Sequence, residues 1–235
     1  MAQKELNLEL MDEYTDARWK TLYKVAGIAA LITAAIIPIS IVAYFIWPIY
    51  PDDIFTVIQE SKLAGLMSLD FLYLFGNIFA IPAFLAFYLS LRRTDESWAL
   101  LALTLGFIGL VVLIPARPVF EMLALGDQYA AATTDAQRAI IQTAGEAVLA
   151  TFHGTAFNAH YILGSLSLLI TAILMLRSEV YGKASAYVGI ATNLVVFGLY
   201  VPVVGVYLSL LSVVGYLVWW IMLARKFFQL GRGEV

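Results

Sequence analysis

The stretch AVLATFHGTAFNAHYILGSLSLLITAILML, residues 147–176, contains no Asp, Glu, Lys or Arg for thirty residues. A bilayer is crossed by about 20 apolar residues, so a run this long reads as a membrane-spanning helix. It also holds both histidines of the chain, His153 and His160, seven positions apart. Titratable groups at membrane depth are costly, which makes them candidates for function.

Outward from this stretch the same pattern repeats. Of 235 residues, 62% are hydrophobic and 13% are charged, against roughly 45–50% and 25% in soluble domains. A water-soluble fold of this length has no means of hiding so much apolar surface. Apolar runs define six expected spans, at 22–47, 64–91, 97–116, 151–176, 184–201 and 206–224. The expected fold class is therefore an all-α polytopic membrane protein of six transmembrane helices. Residues 1–21 form an N-terminal segment, 22–226 a single transmembrane domain and 227–235 a tail. Residues 1–21 are charged, and the run behind them is too long for a signal-peptide core, so span 1 is read as retained. Leu6, Leu10 and Tyr14 at helical spacing mark the N-terminal segment as an interfacial helix or a disordered lead.

Basic residues orient the spans. With both termini cytoplasmic, eleven of the 14 Lys and Arg residues lie on the inner side, leaving Lys62, Arg117 and Arg138 outside. That asymmetry follows the positive-inside rule and places the chain as a multi-pass protein of the cell inner membrane. Two outer segments have helical signals of their own. Ile54, Phe55 and Ile58 share one side of 52–60, and Thr134-Asp135-Ala136-Gln137 has a capping-box pattern, predicting a short amphipathic helix before span 4.

Polar residues at common depth supply the candidate site. Glu146, His153 and His160 repeat at seven-residue spacing, nearly one face of a helix. Asp70, Tyr73 and Asn77 share a face of span 2, and Arg117 and Glu121 lie a turn apart beyond span 3. Together Asp70, Tyr73, Asn77, Arg117, Glu121, Glu146, His153 and His160 form a polar cluster weighted to the outer half. Two histidines seven apart are separated by about 10.5 Å along a helix axis, too far to share one ion. No third histidine offers haem a second ligand. With no cysteine, thiolate metal sites are excluded, and no phosphate-binding loop is present. No cofactor and no metal are expected. A net charge of −3 argues against nucleic acid as a partner, leaving the lipid bilayer and a lipid or small amphipathic ligand.

Further stretches carry a likeness. Arg18-Trp19-Lys20 through Gly27, Gln128-Tyr129-Ala130-Ala131-Ala132-Thr133 with Ala136-Gln137-Arg138, Leu174-Met175-Leu176-Arg177-Ser178, Gly189-Ile190 and Trp219-Trp220 resemble a bacterial family of six-span membrane proteins of about this length. That family is catalogued as a domain of unknown function. The resemblance implies an integral bacterial membrane protein and assigns no activity or catalytic residue. Three functions stay open on the sequence. One is binding or transport of a small amphipathic molecule or lipid in an outward-facing polar pocket between spans 2, 3 and 4. The second is a structural or accessory membrane subunit. The third is an intramembrane enzyme using a histidine–carboxylate pair.

Overall fold

The computed structural model describes residues 18–234, so the reading of 1–17 lies outside the described residues. The helices are α1 (Lys20–Ile46), α2 (Ile54–Glu60), α3 (Lys62–Ser68), α4 (Phe71–Ile78), α5 (Ile81–Leu91), α6 (Glu96–Ala116), α7 (Val119–Ala131), α8 (Asp135–Leu149), α9 (Thr155–Arg177), α10 (Lys183–Val196) and α11 (Gly205–Arg232). Short 3₁₀ turns cover Ala150–His153 and Phe197–Tyr200. Five helical stretches are long and apolar enough to cross a membrane: Lys20–Ile46, Phe71–Leu91, Glu96–Ala131, Asp135–Arg177 and Tyr207–Arg232. Across the described residues the chain is thus an all-helical, multi-pass membrane protein in character.

Six segments close into a ring, in which α1 packs on α5, α5 on α6, α6 on α9, α9 on α10, α10 on α11, and α11 back on α1. The ring is tightest between α6 and α9. There Gly109 lies so close that a Cβ on it would stand 3.2 Å from the Gly164 nitrogen. At the same interface the Ser167 hydroxyl donates to the Ala102 carbonyl. Small residues let membrane helices approach until side chains reach the neighbour's backbone. Between α10 and α11 the buried Trp219 indole lies against Gly189 and stacks on Phe87 from α5. Phe84, Phe87, Trp219, Leu223 and Phe227 belong to one apolar core toward the end that carries Arg92, Arg93 and Arg225.

A second, smaller core lies at the opposite end. Ile54, Phe55 and Ile58 of α2 pack with Leu69, Leu74, Leu113, Val119, Met122 and Phe152. The three apolar residues expected on one side of 52–60 are the ones buried. Helices α2, α3, α7 and α8 form a cap over this end, and the exposed pair Lys62–Asp127 joins α3 to α7 at 2.9 Å. The capping box at the start of α8 is present, with Thr134 accepting from the Gln137 amide and Gln137 accepting from the Thr134 amide.

Several boundaries differ from the sequence reading. The helix expected from 64 is interrupted at Asp70, whose φ of 60° is left-handed, so α3 joins the cap and the membrane-length stretch begins at Phe71. Asp is one of the few residues that adopts this conformation as a single position. Residues 119–131, read as a connection, are helical as α7. The last helix continues to Arg232, because Phe227 and Leu230 are fully buried against the core rather than lying in a tail. The expected 184–201 span is a 14-residue helix followed by a 3₁₀ turn to Tyr200, and it is not among the five membrane-length stretches.

Two substitutions test this packing. In Gly106→Val, the first added carbon runs into the Phe84 ring, well inside van der Waals contact, and overpacking of this kind costs about 1–3 kcal/mol. The expected result is an earlier unfolding transition in detergent, with Gly106→Ala shifted less. Thr134→Ala removes a cap worth about 1 kcal/mol, and the first-turn amides of α8 should exchange hydrogen roughly fivefold faster by mass spectrometry.

Candidate functional site

Three chain interruptions meet at one level, where the cap joins the ring. The first is the break at Asp70 between α3 and α4. The second is Pro115-Ala116-Arg117-Pro118, where α6 ends and α7 begins. The third is the 3₁₀ turn Ala150–His153 with Gly154, which precedes α9. Irregular backbone at membrane depth survives where protein groups satisfy it. Here Arg117 does so: its Nη1 donates to the carbonyls of Ala116 at 3.1 Å and Phe152 at 3.2 Å.

Asp70 and Arg117 are both buried, at 6% and 7% exposure, and their Nε–Oδ2 distance is 2.9 Å. The second carboxylate oxygen accepts from the Tyr44 hydroxyl on α1. Burial pushes the Asp70 carboxyl above the usual carboxylate range, while the Arg117 charge and the hydrogen bonds from Tyr44 and Arg117 pull the other way. Asp70 stands at the N-terminus of α4 and Arg117 at the C-terminus of α6, the ends at which helix dipoles stabilise an anion and a cation respectively. Around the guanidinium lie the rings of Phe157, Phe152 and Tyr73, with centroids at 4.7, 5.1 and 5.2 Å. Aromatic faces replace some of the hydration a buried cation loses. Tyr50, in the loop after α1, packs on Phe152. Burial, followed by the Asp70 charge, pushes its phenol well above the usual tyrosine range, so it remains neutral.

His160 lies deeper and is also buried. Its Nδ1 is 2.9 Å from the Gly109 carbonyl on α6, which can only accept. Nδ1 therefore carries the proton, and Nε2 accepts from the Tyr73 hydroxyl at 2.9 Å. The ring thus bonds α9 to α4 and α6 at once. Asn77 points its amide back at the Tyr73 carbonyl, 2.9 Å away on its own helix.

Of the eight residues singled out in the sequence, the structure brings Asp70, Tyr73, Arg117 and His160 together, with Asn77 one turn from Tyr73. Glu121, Glu146 and His153 are exposed on α7, α8 and the 3₁₀ turn. His153 touches only the edges of Tyr50 and Phe157 among the described rings. The seven-residue repeat assumed one continuous helix, but the chain unwinds between Ala150 and Gly154. A 3₁₀ turn advances about 120° per residue, and Gly154 is extended with ψ −170°, so the helical phase is lost between the histidines. Phe152 and Phe157 complete the cluster with Tyr44; neither phenylalanine carried a distinct signal, since a phenyl ring at the end of an apolar run resembles interfacial aromatics.

No family model, curated protein or solved structure matches this chain, so the likeness to the six-span family rests on the quoted residues alone.

Tyr73→Phe leaves His160 Nε2 without its donor. The expected loss is about 0.5–2 kcal/mol, the range for hydrogen bonds inside membrane bundles and buried unsatisfied groups. Denaturant unfolding in detergent measures it. An unchanged transition would show that the Tyr73–His160 bond carries no stability.

Proposed function

We propose that this chain is a structural or accessory protein of the cell inner membrane that acts by contact rather than by chemistry. It crosses the bilayer six times with both termini cytoplasmic, and it holds an outer helical cap in fixed register on the bundle. The observation behind this reading is that the charged and imidazole groups of the buried cluster are engaged by the protein itself, although the buried Tyr50 hydroxyl beside them has no hydrogen-bond partner among the described residues. Both Asp70 oxygens, both His160 nitrogens and two nitrogens of Arg117 have protein partners. Neither histidine is hydrogen-bonded to a carboxylate among the described residues, so the histidine–carboxylate pair an intramembrane enzyme needs has no support. For six spans, the support is the place of α10 in the closed ring between α9 and α11. For orientation, it is the basic asymmetry.

A second reading, binding or transport of a small amphipathic molecule or lipid between spans 2, 3 and 4, is favoured by one feature. Interrupted helices at a common depth are the arrangement in which transporters build substrate sites. In that case the cluster is the closed form of the site.

The two readings separate by experiment. Asp70→Asn and Arg117→Gln each leave a buried partner uncompensated, which costs about 3–5 kcal/mol. The doubly apolar variant Asp70→Leu/Arg117→Met should be less destabilised than either single change, as replaced buried pairs are. On the accessory reading, total lipid extract shifts the unfolding temperatures of wild type and the double variant equally. A shift present in wild type and abolished in the double variant would transfer the conclusion to the binding reading.

A further inference from the structure

At the end opposite the cap, an open groove of about 190 Å³ lies between the start of α6 and the end of α9. Its lining is Trp98 from the first turn of α6 and Ile170, Ile173, Leu174 and Arg177 from the last two turns of α9. The α9 residues follow i, i+3, i+4 and i+7, so they form one stripe along the helix. Ile173 and Trp98 are 43% and 50% exposed, and because α6 and α9 are neighbours in the ring, the groove opens on the lipid-facing side. The floor is hydrocarbon, and the two polar groups stand at its rim: an indole, a side chain favoured at the membrane–water boundary, and a guanidinium.

Arg177 has no hydrogen bond or ion pair with any described residue, in contrast to Arg117. The acidic groups nearest Trp98 in the chain are engaged, since Asp95 accepts from the Trp98 amide and Glu96 accepts from the Tyr88 hydroxyl. Glu179 is exposed in the loop beyond Arg177. Arg92 and Arg93 in the preceding turn and Lys183 at the start of α10 add positive charge to this end.

We propose that this groove binds one anionic phospholipid of the adjacent leaflet, with an acyl chain along Ile170, Ile173 and Leu174 and the headgroup phosphate on Arg177. A hydrocarbon stripe ending in an uncommitted planar cation at interfacial level matches a lipid and no soluble partner. Basic sites between membrane helices recognise acidic headgroups in this way, and the guanidinium fork matches phosphate oxygens in pairs. This inference is independent of the outer cluster, which lies at the other end of the bundle.

The test uses the full chain reconstituted in phosphatidylcholine vesicles containing, at equal mole fraction, phosphatidylglycerol or phosphatidylcholine with brominated acyl chains. Bromine quenches tryptophan at short range, and Trp98 is the reporter. The expected result is stronger quenching by the brominated anionic lipid, with a local enrichment of roughly fivefold, the effect of one basic side chain near a headgroup. Trp98→Phe should abolish the excess. Arg177→Gln should remove it, Arg177→Lys should keep most of it, and Lys226→Gln, which deletes a charge at the same end but outside the groove, should leave it intact. Equal quenching by the two lipids in wild type, or an excess that survives Arg177→Gln, overturns the proposal.

Discussion

The ion pair between Asp70 and Arg117 is the constraint on which the cap end of this protein depends. Both charges are buried, and each would be costly alone in that setting. What offsets the cost is geometry: a carboxylate at one helix N-terminus, a guanidinium at another helix C-terminus, and a phenol and two carbonyls taking up further capacity. The pair sits where α3 gives way to α4, α6 to α7, and the 3₁₀ turn to α9. Arg117 donates to backbone carbonyls at two of these interruptions, and at the third the Ser68 carbonyl accepts from the Tyr50 amide.

His160 has the corresponding role at a deeper level. It spans α4, α6 and α9 through a donated and an accepted hydrogen bond, and it does so where α6 and α9 approach at Gly109 and Gly164. The glycines make the carbonyl of Gly109 reachable, and the histidine makes the close approach specific in register. Deeper still, Ser167 repeats the same device on the Ala102 carbonyl. His160 and Ser167 thus each reach the backbone of α6 from α9, beside the side-chain pairs formed by Asp70 with Arg117 and by Tyr73 with His160.

The sequence makes five membrane-length helices legible because hydropathy needs only length and composition, and it makes the starts of α2 and α8 legible because amphipathic spacing and caps are local. It identifies Asp70, Tyr73, Arg117 and His160 because polar residues in apolar runs stand out. It does not distinguish them from Glu121, Glu146 and His153, because that distinction depends on where helices break. The breaks come from a left-handed aspartate, a Pro-Ala-Arg-Pro corner and an unwound turn before Gly154, and each is stabilised by groups distant in the chain. The same cause hides α7: its short amphipathic run becomes a helix through burial of Val119 and Met122 beneath α2. Periodicity projected through a break misassigns every residue on the far side, and His153 is the clearest case.

The two ends of the ring consequently differ in what they leave available. At the cap end the buried cation is enclosed by three aromatic rings and engaged by a carboxylate and two carbonyls, so its charge is directed inward and fixes the fold. At the basic end Arg177 terminates an apolar stripe with nothing from the described chain upon it, and Trp98 marks the level at which headgroups lie. A guanidinium already neutralised by its own protein has little differential affinity to offer a ligand, whereas one set at the edge of hydrocarbon does. The same residue type therefore acts as a structural pin at one end and as a recognition group at the other, and what separates the two roles is whether the chain itself supplies the anion.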